Sequence, residues 1–139
     1  DEHYRFPLTA HEVELTREIM AHYRWLDWYH GGLAGRAVGD PLLPASVTGH
    51  DPRGEGERFQ FRRDFVYITP FRRIAEDYAR QAGGHLYRVA PVGEVQVDPT
   101  ELRRTRLIAM ERKIPFSGSY RHFCEFCCQR ATVLEVLPL

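Results

Sequence analysis

The sequence predicts an α+β domain, and three observations carry that expectation. Phe65 to Thr69 is aromatic and β-branched, as strands are, and Pro70 stops it because proline has no N–H to give to a ladder. A helix follows from Phe71, with Ile74 and Tyr78 four residues apart, and Gly83-Gly84 closes it where a left-handed residue is needed. Elsewhere short aromatic and β-branched runs alternate with turn residues, which gives five or more short strands beside two helices. At 139 residues the chain supports one core, so residues 1–139 are read as a single domain.

The elements follow in order. Residues 1 to 8 read as a surface arm. Thr9-Ala10-His11-Glu12 matches a capping box, and Val13, Ile19, Met20 and Tyr23 follow at helical spacing, so a helix is expected from Ala10 to Tyr23. Trp25 to His30 reads as a buried strand that delivers His30 to its end, with Gly31-Gly32 just after it opening the backbone to close approach. Leu33 to Glu57 is glycine- and proline-rich and includes His50; a loop of that length is expected to act as a lid or binding loop. Arg58 to Phe61 alternates like a strand. Gly83 to Ala90 is a strand interrupted at Pro91-Val92-Gly93, and Glu94 to Asp98 resumes with alternation up to Pro99. Residues 99 to 113 fit a helix or an irregular connection, Ile114 to Tyr120 is loop, and Phe123–Phe126 and Ala131–Leu137 complete the strands.

Composition excludes several function classes. Nineteen basic and nineteen acidic residues cancel, so a general nucleic-acid or membrane-surface binder is not expected. No apolar run approaches the roughly 20 residues that cross a bilayer. A chain that opens on Asp1 rather than Met fits a processed form or one domain of something longer; the expected location is the cytoplasm, or outside the cell as part of a larger toxin. His122, Cys124, Cys127 and Cys128 resemble half of a zinc site, but a second ligand pair is missing, so no metal is expected and the cysteines read as buried strand residues.

Three polar groups fall at or near strand ends: His30, Tyr67 and Asp98. Without a Ser or Cys nucleophile they make no acyl-transfer triad; they suit holding a sugar and stabilising positive charge on it. The same residues also read as a core tyrosine, a histidine satisfied by backbone and an aspartate capping a turn before proline.

Tyr29-His30-Gly31, Val38 to Pro44, Val66-Tyr67-Ile68-Thr69 with the Ala75–Ala79 helix, Leu86 to Gly93 and Asp98-Pro99 occur in an order and spacing that resemble the ADP-ribosyltransferases. The likeness is greatest to the small bacterial rifamycin ADP-ribosyltransferases, whose site is a His-Tyr-Asp set. It covers Trp28 to Pro99 well, and Ser119-Tyr120-Arg121 with the Arg130–Val136 strand is similar to that family's last segment. The resemblance implies a split, mixed β core and an enzyme that moves ADP-ribose from NAD+ to an acceptor and releases nicotinamide. It implies that Asp98 offsets charge on the ribose, that His30 holds a ribose hydroxyl or phosphate oxygen, and that Tyr67 stacks on the nicotinamide. Gly31, Gly32, Thr69 and Tyr78 would border the dinucleotide; Arg36, in the glycine-containing loop, is a candidate partner for its pyrophosphate and equally reads as a solvated arginine. Many members of the superfamily take the third residue from a late strand, so Glu125 and Gln129 are alternatives to Asp98. The implied acceptor is a small hydroxylated compound such as a rifamycin, or a protein or nucleic acid as in a toxin; water, giving an NAD+ glycohydrolase, and a non-catalytic binding module are the rival readings.

Overall fold

The computed structural model describes residues 9–23, 26–48, 65–113, 123 and 125–139. The expected strand at Arg58–Phe61, the arm at 1–8, His50, the loop at 114–120, His122 and Cys124 lie outside them. Helices and antiparallel sheets pack together as an α+β fold. Helix α1 spans Ala10–Tyr23 and opens on the expected capping box: Glu12 N donates to Thr9 Oγ1 at 3.2 Å and Thr9 N to Glu12 Oε1 at 3.0 Å. Strand β1 (Trp28–Gly32) leads to β2 (Pro41–Leu42), the short helix α2 (Ala45–Thr48) and β3 (Val66–Ile68). Then come α3 (Arg72–Ala82), β4 (His85–Val92), β5 (Gln96–Val97), α4 (Pro99–Arg112), β6 (Phe126–Cys128) and β7 (Arg130–Leu137).

Two sheets result, one in the order β1-β4-β7-β2 and the other β3-β6-β5. Every strand pair among the described residues is antiparallel, where a mixed core was expected. The sheets are joined where Tyr29 and Thr69 exchange both backbone bonds, at 2.8 and 3.0 Å. Beyond that pair β1 and β3 do not pair, so the sheet splits between them. At the other side the chain steps from β6 in the small sheet directly into β7 in the large one.

The main core lies between the sheets, with Trp28, Tyr87, Val89, Ala131 and Val133 from one meeting Val66, Ile68, Val97, Phe126 and Cys128 from the other. Phe126 is its pivot, with ring centroids 5.0 Å from Tyr23 and 5.1 Å from Trp28, both in tilted or edge contacts that aromatic pairs favour. On the opposite face of β1, Ala75 and Ala79 of α3 pack with Leu86 and Tyr29. Helix α3 ends as its Gly83-Gly84 predicts: Gly83 has φ 63°, and the Gly83 and Gly84 N–H groups return to Arg80 O and Ala79 O.

Several boundaries differ from expectation for physical reasons. Strand β1 begins at Trp28 and contains both glycines rather than ending before them, because α3 lies against it there. The 33–57 region is not all loop: Pro41–Leu42 is too short to signal itself but pairs with Ala131 and Thr132. Pro91 does not interrupt β4, which pairs with β7 as far as Val92; the pairing of β4 with β1 stops at Val89, so the missing N–H breaks no bond on that side. The late strand starts at Phe126, and residues 99 to 112 settle the open choice as helix.

Candidate functional site

The split between β1 and β3 separates two of the candidate residues, His30 and Tyr67. His30 sits mid-strand in β1, opposite Tyr87 of β4, with the two rings stacked at 6.5 Å and 26°. Its Nδ1 lies 2.7 Å from the backbone oxygen of Tyr67, spanning the split. A carbonyl only accepts, so Nδ1 carries the proton of this bond. Gly32 provides the room for the other ring nitrogen: a methyl group there would stand 2.6 Å from Nε2. This gives Gly32 a role in seating the imidazole.

Gly31 does something different from what was expected. A Cβ at that position would lie 1.9 Å from Ala75 O and 2.6 Å from Ala79 N, so its missing side chain admits the backbone of α3 and leaves no gap for a dinucleotide. Thr69 is likewise taken up locally: it is 5% exposed, bridges to Tyr29, and its Oγ1 accepts the Phe71 N–H at the head of α3.

Tyr67 lies between buried Val66 and Ile68, so its half-buried side chain is on the face of the small sheet away from the core. Register puts Cys127 directly opposite it and Gln96 opposite Cys127. Glu125 and Gln129 lie just beyond the two ends of β6, two residues either side of Cys127. Glu125 is level with Thr69, the closed end, where the Tyr78 hydroxyl of α3 donates to its carboxylate and Glu101 Oε2 accepts its N–H at 2.7 Å. Gln129 stands at the step from one sheet to the other; its side chain is exposed and passes beside Gly93.

Asp98 stands one strand further from Tyr67. Its N–H donates to Glu125 O at 2.9 Å, its carbonyl accepts the Leu102 N–H at 2.9 Å, and it is 1% exposed. With Pro99 as the first helical residue, Asp98 occupies the N-cap of α4. The structure thus joins the His30 imidazole to the Tyr67 backbone across the split, ties Glu125 and Tyr78 together at its closed end, leaves Gln129 exposed beside Gly93, and seats Asp98 at a helix head.

Arg36 lies in the loop after β1, where its N–H donates to Tyr87 Oη at 3.2 Å. Its side chain helps to line a cavity of about 330 Å³ with Asp40, Pro41, Leu43, Val47 and Thr48. Tyr87 itself is a residue that sequence reading passed over, since nothing local separates it from an ordinary core tyrosine. Cys127 and Cys128 are both buried, and burial pushes the Cys128 thiol from 9.0 up to about 12, with backbone bonds at Val92 and Arg130 opposing the shift. Among the described residues no three His, Cys, Asp or Glu side chains group to hold a metal, and no helix is long and apolar enough to cross a membrane. No known family model matches the chain, and no curated protein matches it.

Proposed function

We propose that the chain is an NAD+-dependent mono-ADP-ribosyltransferase of the ADP-ribosyltransferase superfamily, with its site in the split between β1 and β3. The observation that carries the reading is the His30 imidazole spanning that split to the Tyr67 backbone.

NAD+ would lie with its nicotinamide against the Tyr67 ring, whose face suits a cationic heterocycle. His30 would hold a ribose hydroxyl or a nearby phosphate oxygen. The bond from the ribose to the nicotinamide nitrogen breaks with its electron pair going to nicotinamide, which leaves neutral, through an oxocarbenium-like transition state. An acceptor oxygen then donates a lone pair to that ribose carbon and gives up its proton to solvent. Of the three candidates for the third residue, Gln129 is favoured over Asp98, because Asp98 is buried at the α4 N-cap and Glu125 is held by Tyr78. Gln129 carries no charge, so its part is to fix a ribose hydroxyl through hydrogen bonds.

The test is to incubate the protein with NAD+ labelled in the adenosine and nicotinamide halves, in water alone and with a rifamycin, a protein extract or nucleic acid. Nicotinamide release with label transferred to one acceptor supports the transferase. Release without transfer makes the protein a glycohydrolase, and no release under any condition refutes the reading.

A further inference from the structure

We infer that Tyr87 is a positioning residue that couples the His30 imidazole to the loop carrying Arg36, so that its hydroxyl sets the affinity of the site for NAD+. This deepens the transferase reading and rests on it. Tyr87 is 0% exposed, yet its polar atom is fully used: Oη donates to Leu33 O at 2.6 Å and accepts from Arg36 N at 3.2 Å. Its ring lies beside the imidazole, at the cross-strand position opposite His30.

One side chain therefore fixes both ends of a short path. The ring limits how His30 can tilt, and the hydroxyl clamps residues 33 to 36 at the turn where Gly35 adopts φ 91°. Beyond the clamp the chain is next held at Ala37 to Asp40, where the Ala37 N–H donates to Asp40 Oδ2 and the Gly39 N–H to Val133 O, both at 2.8 Å. Arg36 leaves the clamp to line the cavity beside Asp40 and Thr48, so a loosened clamp misplaces the cation without touching the residues at the split. Ordering a loop in advance of binding lowers the entropic cost of capture and acts on affinity rather than on chemistry.

The perturbation is Tyr87→Phe, which keeps the ring and removes only the hydroxyl. The expected result is a rise in KM for NAD+ of about tenfold, the scale of one buried hydrogen bond, with kcat within about twofold. Arg36→Ala should raise KM similarly, and the double variant should be little worse than either single one, since both act through one clamp. Amide exchange provides a readout independent of turnover: the Arg36 N–H should exchange faster in Tyr87→Phe while amides of α1 and β4 stay protected. Unchanged Arg36 exchange, or an unchanged KM in an active variant, overturns the inference. An additive double variant does the same. Failure of the wild-type protein to bind or cleave NAD+ instead removes the transferase reading on which the inference rests.

Discussion

Substituting Gly32 by alanine separates the position of the imidazole from the stability of the fold. The new methyl would stand 2.6 Å from His30 Nε2, 3.3 Å from Cδ2 and 3.6 Å from Cε1, and these ring atoms are its three nearest neighbours. Unstrained contact begins near about 3.5 Å, so the ring must retreat by about 0.9 Å. It cannot do so freely, because Tyr87 lies stacked beside it. The bond from Nδ1 to Tyr67 O starts at 2.7 Å and leaves the hydrogen-bond range of about 2.7–3.2 Å after a shift of roughly half an ångström. Its loss costs about 0.5–1.5 kcal/mol of stability, which urea unfolding would register as a small fall in midpoint with an unchanged slope. A displacement of this size at a reacting centre costs about a hundredfold in rate. Gly32→Ala is therefore expected to remain folded and to release nicotinamide about a hundred times more slowly. Full activity in a folded Gly32→Ala protein would show that the seating of His30 is irrelevant to the chemistry.

Gly31→Ala, one residue away, should behave in the opposite sense: its methyl would collide with the α3 backbone at 1.9 and 2.6 Å, and the variant should lose about 3 kcal/mol or fail to fold, as read by urea unfolding. Asp98→Ala should cost about 1 kcal/mol through the lost α4 cap while folded molecules keep their turnover, whereas Gln129→Ala should lower nicotinamide release about a hundredfold with little change in stability. The reverse pattern would make Asp98 the third residue. The Cys128 thiol has a folded-state value raised from 9.0 to about 12, so the folded protein holds that proton more tightly. Its contribution is present in full below pH 9 and is lost as pH rises toward 12, by about 4 kcal/mol in all. A Cys128→Val protein should lack this part of the alkaline decline in urea stability, and an identical pH profile would contradict it.

What the sequence disclosed depended on how local each cause was. The α1 capping box and the Gly83-Gly84 stop are decided within a few residues, and both form as read. His30 and Tyr67 stand out in the sequence because each lies in a short strand beside a recognisable turn, and their assignment to one site rests on a resemblance rather than on spacing. The purpose of Gly31 was not legible, since it depends on where α3, more than forty residues later, comes to rest. Glycines at a strand end suggest room for a ligand, and a helix backbone can claim the same room. Asp98 shows a local ambiguity: Asp-Pro before a helix is at once an acid near a strand end and an N-cap, and only the neighbouring strands separate the two. Tyr87 was passed over because its hydroxyl partners, Leu33 and Arg36, are more than fifty residues away. Strand β2, two residues long, offers no periodicity to read.

The central claim is that NAD+ occupies the split between β1 and β3, and titration of the isotopically labelled protein with NAD+ followed by NMR tests it most directly. The account predicts saturable shifts at the His30 and Tyr67 side chains, the Gln129 amide and Arg36, with the α1 and α4 resonances still. Shifts confined to other surfaces, or none at millimolar NAD+, would contradict it.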